Sequence, residues 1–111
     1  MKVLNSQPDS LDWYVYRNDT TNLTVVVRDS QNEALDLTNW EFSGSVRETP
    51  RTSSVITELN ITRVEDVLSI FLDTENLNKI NYFDIEATNN VLQKTTTVLK
   101  GIIYVEEDVT R

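Results

Sequence analysis

Apolar and polar residues alternate with a period of two along most of this chain. Leu11, Trp13 and Val15 fall on one parity, with Tyr14 and Tyr16 on the other. Leu23, Val25 and Val27 repeat the pattern, and Trp40, Phe42, Gly44 and Val46 alternate with Glu41, Ser43, Ser45 and Arg47. Val55, Leu59 and Ile61 share a parity, as do Leu68, Ile70 and Leu72. Phe83, Ile85 and Ala87 alternate with Tyr82, Asp84 and Glu86, and the last run places Leu99, Ile103 and Val105 together. Such alternation is the mark of strands with one face in a core and one in solvent. Polar clusters separate the runs: 18–21, 29–33, 49–54 around Pro50, and Asn89-Asn90. Asn32 is the residue of the 29–33 turn best suited to a positive φ. Asp73-Thr74-Glu75 reads as an N-cap opening a single helical turn before Tyr82.

About seven strands with short connections predict an antiparallel immunoglobulin-like β-sandwich, with a small β-barrel as the alternative closure. Composition supports the reading. Thr, Val and Ile number 14, 13 and 7 among 111 residues, whereas Ala occurs twice. Branched side chains pack well on a pleat and lose freedom in a helix. The alternation divides the chain into an N-terminal arm (1–12), a sandwich domain (13–106) and a polar C-terminal tail (107–111). Trp13 and Trp40 lie on inward parities and are read as core. Gly44 and Gly101 sit inside strands, where a missing side chain admits a neighbouring Trp or marks a bulge.

The chain has no His and no Cys, and its 18 acidic against 10 basic residues give a net charge of -8. Without His or Cys there is no Ser-His-Asp triad, no thiolate nucleophile and no ordinary zinc site. Two glycines cannot build a glycine-rich phosphate loop. No basic patch opposes the acidic field, so no nucleic-acid partner is expected. No apolar run reaches the length of a signal peptide or a membrane span, so no membrane partner is expected either. The N-x-T sequons at Asn18, Asn22 and Asn60 are read as unglycosylated, since nothing routes the chain to a glycosylation compartment. Glu106-Glu107-Asp108 is the densest carboxylate cluster, and Asp29 to Glu33 places oxygen groups at alternate positions. The first is read as a solvated tail. The second is read as a hairpin turn, because it lacks the central Gly and closing Glu of a calcium loop. No catalytic residue, cofactor or metal is expected. Tyr14, Tyr16, Tyr82 and Tyr104 are the candidate contact residues, since outward tyrosines give large contact area at low entropy cost. Leu4 and Pro8 join them from the arm.

Several segments also carry a resemblance. Leu23-Thr24-Val25-Val26-Val27-Arg28-Asp29 leads to a turn and then to Leu35-Asp36-Leu37-Thr38-Asn39-Trp40. Later come Tyr82-Phe83-Asp84-Ile85-Glu86, Leu99-Lys100-Gly101-Ile102-Ile103-Tyr104-Val105 and the closing Asp108-Val109-Thr110-Arg111. Over residues 14–111 this resembles small β-sandwich domains of tailed bacteriophages. Those domains occur as stand-alone virion proteins and at the N-termini of baseplate or tail-fibre proteins. They often read D-x-x-G-x-x-L-D-L-T before an aromatic, and L-x-G-x-I-x-V before D-V-T-R. The turn Gly is absent here, and Asn32 stands in for it. The resemblance implies a non-enzymatic virion structural protein that folds in the host cytoplasm and binds other virion proteins or its own copies. Its acidic charge would place it on the tail, baseplate, neck or outer capsid rather than against packaged DNA. The alternatives are a receptor- or carbohydrate-binding module and, with least support, a small carboxylate hydrolase.

Overall fold

The computed structural model describes residues 2–3, 9–18, 21–28, 37–52 and 54–107. They form eight strands: β1 (Lys2–Val3), β2 (Asp9–Tyr16), β3 (Thr21–Arg28), β4 (Trp40–Arg47), β5 (Thr57–Val64), β6 (Val67–Leu72), β7 (Ile80–Asn89) and β8 (Lys94–Glu106). Their order across the sheet is β1-β3-β6-β5-β4-β7-β8-β2. Pairing is antiparallel except at the two ends, where β1 runs parallel to β3 and β2 parallel to β8. The hinge of the architecture is β5. Its first residues pair with β4 (Gly44↔Leu59, Val46↔Thr57), and its later ones pair with β6 (Asn60↔Phe71, Val64↔Val67). One strand thus hands the sheet from one layer to the other. Among the described residues the outermost strands β1 and β2 do not pair with each other, so the sheet folds into a sandwich.

The predicted parities fill the core. Val27, Leu59, Leu68, Ile70 and Leu72 of one layer meet Trp13, Val15, Val46, Phe83, Ile85, Ala87, Ile103 and Val105 of the other. Trp13 meets Phe83 edge to face, with ring centroids 5.9 Å apart and planes at 71°. Trp40 is half-buried and packs against this cluster. Among the described residues, one polar side chain is fully enclosed: Asn81. Its Oδ1 accepts from the Asn78 N–H at 2.8 Å, and its Nδ2 donates to the carbonyls of Asn78 at 2.7 Å and Ile103 at 3.4 Å. Those bonds offset the cost of burying an amide.

Five expectations need correction or refinement. Strand β2 begins at Asp9, so residues 9–12, assigned to the arm, belong to the sheet. Ile56, not Val55, packs against the core ahead of β5, and Val55 is exposed. No helix forms at 73–79. The Asp73 carboxylate instead accepts the Glu75 N–H at 3.0 Å in a local turn, and too few residues remain before β7 to propagate a helix. Gly44 admits Leu59 rather than a Trp, for a Cβ there would lie 2.7 Å from Leu59 Cδ1. The bulge of β8 lies between Thr97 and Leu99, where Glu86 pairs with Thr97 and Ile85 with Leu99. That leaves Val98 unpaired, and both Val98 and Leu99 turn inward. Gly101 answers another need. A Cβ there would sit 1.8 Å from the carbonyl oxygen of Leu11, so only a bare α-carbon lets β2 approach β8 this closely. Asn32 and the 29–33 turn lie outside the described residues. Among the described residues, positive φ occurs at Asn18, Glu65 and Gln93, each in a tight connection.

Candidate functional site

Strands β4, β7, β8 and β2 turn one face to the core and the other outward. Register sorts the outward residues into rows that cross the strands. One row runs Tyr14–Tyr104–Ile80 over β2, β8 and β7. The next runs Asp12–Ile102–Tyr82–Arg47 and reaches β4. A third runs Ser10–Lys100–Asp84–Ser45. The face therefore grades from aromatic and aliphatic at one end to charged at the other.

The aromatic row is built on a stacked pair. Tyr14 and Tyr104 stack with ring centroids 4.9 Å apart and planes at 14°. Their residues are direct partners in the β2–β8 ladder, where cross-strand side chains meet. Tyr14 is 66% exposed and Tyr16 50%, and Ile80 beside them is 49% exposed. Partial burial against the neighbouring strands, then the Asp12 carboxylate, then Tyr14 and Tyr82, push the Tyr104 phenol above its ordinary range.

At the charged end, Asp84 accepts from Ser45 Oγ at 3.4 Å and lies 3.6 Å from Arg47 Nη1. Lys100 is its register partner on β8. Arg47, Asp84 and Lys100, with Asp12, Tyr82 and Ile102, line a shallow depression of about 450 Å³. Two cations and two carboxylates share it, and Tyr82 is part of its lining. Such a surface supplies hydrogen bonds and aromatic contact to a partner. Among the described residues no group of three metal-ligating side chains converges, and no helix is long and apolar enough to cross a membrane.

All four predicted tyrosines thus fall on one sheet face, Tyr14 and Tyr16 exposed, Tyr82 and Tyr104 half-buried. Leu4 and Pro8 lie outside the described residues. Ile80 and Ile102 were not singled out, although they share the parity of Tyr82 and Tyr104, and that parity was the available signal. Two further features lie beyond the expected contact residues. Arg17 Nε donates to Glu107 Oε1 at 2.8 Å, and its Nη1 donates to the carbonyls of Thr74, Glu75 and Leu77 at 3.4, 3.2 and 2.9 Å. The Asn18 N–H adds a bond to Thr74 Oγ1 at 2.8 Å. Glu107, expected in a solvated tail, is therefore tied to the end of β2. At the β7–β8 turn, Asn89 Oδ1 accepts from the N–H groups of Val91 and Leu92 at 2.9 and 3.0 Å, holding two exposed aliphatic side chains at the tip.

No protein-family model matches the chain, and no curated protein does. Solved structures do. A chimeric titin Z1Z2 functionalized with a KLER exogenous peptide from decorin is 15% identical, with a TM-score of 0.52 over 92% of each chain. A titin I27 domain mutant is 14% identical, with a TM-score of 0.47 over 96% of this chain and 90% of that one. The M1 domain from titin is 9% identical, with a TM-score of 0.46 over 93% and 94%. At such identities the likeness of the first shows the fold alone. Together with the strand order, it makes this chain an immunoglobulin-like β-sandwich.

Proposed function

We propose that this chain is a non-enzymatic structural protein of a tailed-phage virion, acting through protein–protein contacts in the baseplate, tail, neck or capsid decoration. The observation that carries the reading is the outward row of Tyr14, Tyr104 and Ile80 with Tyr16 beside it. Tyr14, Tyr16 and Ile80 are large exposed side chains, Tyr14 stacked on the half-buried Tyr104, and such a composition is favoured where proteins meet. The sequence resemblance supplies the setting. Density-purified particles of the phage encoding the chain are expected to contain it as a stoichiometric component by mass spectrometry. Its recovery only from the soluble lysate, never from particles, would sink the assignment.

A second reading has its own observation. The depression beside Tyr82 places a ring among Asp12, Arg47, Asp84 and Lys100, a mixture that suits the hydroxyl groups of a sugar. A receptor- or carbohydrate-binding module would give a glycan-array signal lost in Tyr82→Ala and reduced in Tyr14→Ala. A blank array removes this reading.

A further inference from the structure

Strand β2 is the last strand of its layer, and among the described residues only β8 pairs with it. Edge strands are commonly protected by Lys, Pro, a bulge or shortness, because an open row of N–H and C=O groups templates pairing with another chain. Here Asp9–Tyr16 runs eight residues in unbroken register with β8, with no Lys, no Pro and no bulge. Its single central charge is Asp12.

The direction of the ladder tells which groups face outward. The Arg17 N–H donates to the Glu106 carbonyl at 2.9 Å, on the β8 side. Backbone groups alternate along a strand, so Leu11, Trp13 and Val15 address β8 while Ser10, Asp12, Tyr14 and Tyr16 address the open edge. Three self-pairings of this edge can be weighed. With a two-fold axis at Asp12, two carboxylates stand opposite each other, which is unfavourable. With the axis at Tyr14, Ser10 would need Asn18 as partner, but Asn18 has left the extended region at φ 67°. With the axis at Trp13, Ser10 meets Tyr16 and Asp12 meets Tyr14, twice each. All four open-edge residues then find partners, and each carboxylate faces a phenol that can donate to it.

We propose that β2 pairs antiparallel with the β2 of a second copy about a two-fold axis at Trp13, joining two sandwiches into one continuous sheet. The contact is isologous, with the same patch on both copies. It brings the Tyr14–Tyr104 stacks of the two copies to either side of the axis on one broad face. The inference deepens the assembly reading by naming the chain's first partner as itself. Two copies at net charge -8 repel, so the dimer tightens as salt screens that repulsion.

The test uses the whole chain. Sedimentation equilibrium from micromolar to millimolar concentration is expected to show the mass rising from 12.8 kDa toward twice that value, more readily at high salt. Hydrogen exchange is expected to show protection of the Ser10, Asp12, Tyr14 and Tyr16 amides that grows with concentration, against constant protection at Leu11, Trp13 and Val15. Asp12→Pro removes one outward N–H that the β8 ladder does not use. Tyr14→Glu, a second variant should the first misfold, sets a second carboxylate directly opposite the Asp12 of the other copy. Either is expected to weaken the dimer about ten-fold or more, the scale of a lost backbone pairing. A chain that stays monomeric at every concentration overturns the proposal. So does a dimer in which the even-numbered amides gain no protection, since it would use another face. A monomer found in purified particles overturns the two-fold pairing alone, whereas a dimer never found in particles overturns the virion assignment alone.

Discussion

Gly101 shows how one absent side chain can set a strand's position. Its α-carbon lies where any Cβ would meet the Leu11 carbonyl at 1.8 Å, a backbone atom that cannot swing aside. Gly101→Ala must therefore push β2 off β8 and is expected to cost about 3 kcal/mol or more by chemical denaturation. Exchange protection at Leu11, Trp13 and Val15 should fall with it. Gly44→Ala is the milder change, about 1–2 kcal/mol, because its tightest neighbour is the mobile end of Leu59. Tyr104 allows a titration test. Its folded pKa is raised, so the stabilisation from its neutral phenol is complete below the ordinary value of 10.0 and lost as pH climbs through the raised one. In a phenolate absorbance titration, Tyr104→Phe should remove a step that lies above the ordinary phenol range. Asp12→Asn should lower that step, since the neighbouring carboxylate is one of its causes.

The end of β2 and the β6–β7 connection are held together by Arg17. Its ion pair with Glu107 is largely in solvent, where such pairs contribute little. The three carbonyls it serves leave it no simple substitute. Arg17→Ala is expected to destabilise by about 2 kcal/mol, with faster exchange across 73–79, whereas Glu107→Gln should change stability by less than about 0.5 kcal/mol. The reverse ranking would show that the ion pair, and not the carbonyl bonds, fastens the loop. Arg17 also marks a limit of sequence reading. Parity along a strand tells which face a residue joins, and so Trp13, Phe83, Ile85 and Ile103 were legible as core and the four tyrosines as outward. A clasp between residues 57 to 90 positions apart leaves no periodic trace. The same holds for the change of partner within β5 and for the bulge at Val98, which depend on where strands meet in space. The start of β2 was misplaced for a related reason. Asp9 and Ser10 are poor strand formers by composition, and they are extended because β8 offers them a ladder. The expected helical turn at 73–79 failed for want of length, despite a sound cap.

At the scale of the molecule, one sheet wrapped through β5 presents an aromatic face, a charged depression and an open edge on the same layer. The face was legible from parity once the fold class was known. The depression was not, because it gathers β2, β4, β7 and β8 from opposite ends of the chain. The parallel pairing of β2 with β8 has a mechanical consequence. The chain enters β2 at one end of that ladder and leaves β8 at the other, and upstream of it only the two rungs of β1 with β3 lie in the line of pull among the described residues. Tension between the termini thus pulls the two strands past one another along their length. All eight residue pairs from Asp9↔Leu99 to Tyr16↔Glu106 bear the load together and must yield together. A force applied at the β7–β8 hairpin tip would open its rungs one after another. In an assembly that transmits force, this domain resists stretch along the line of its own chain and gives way most easily across it.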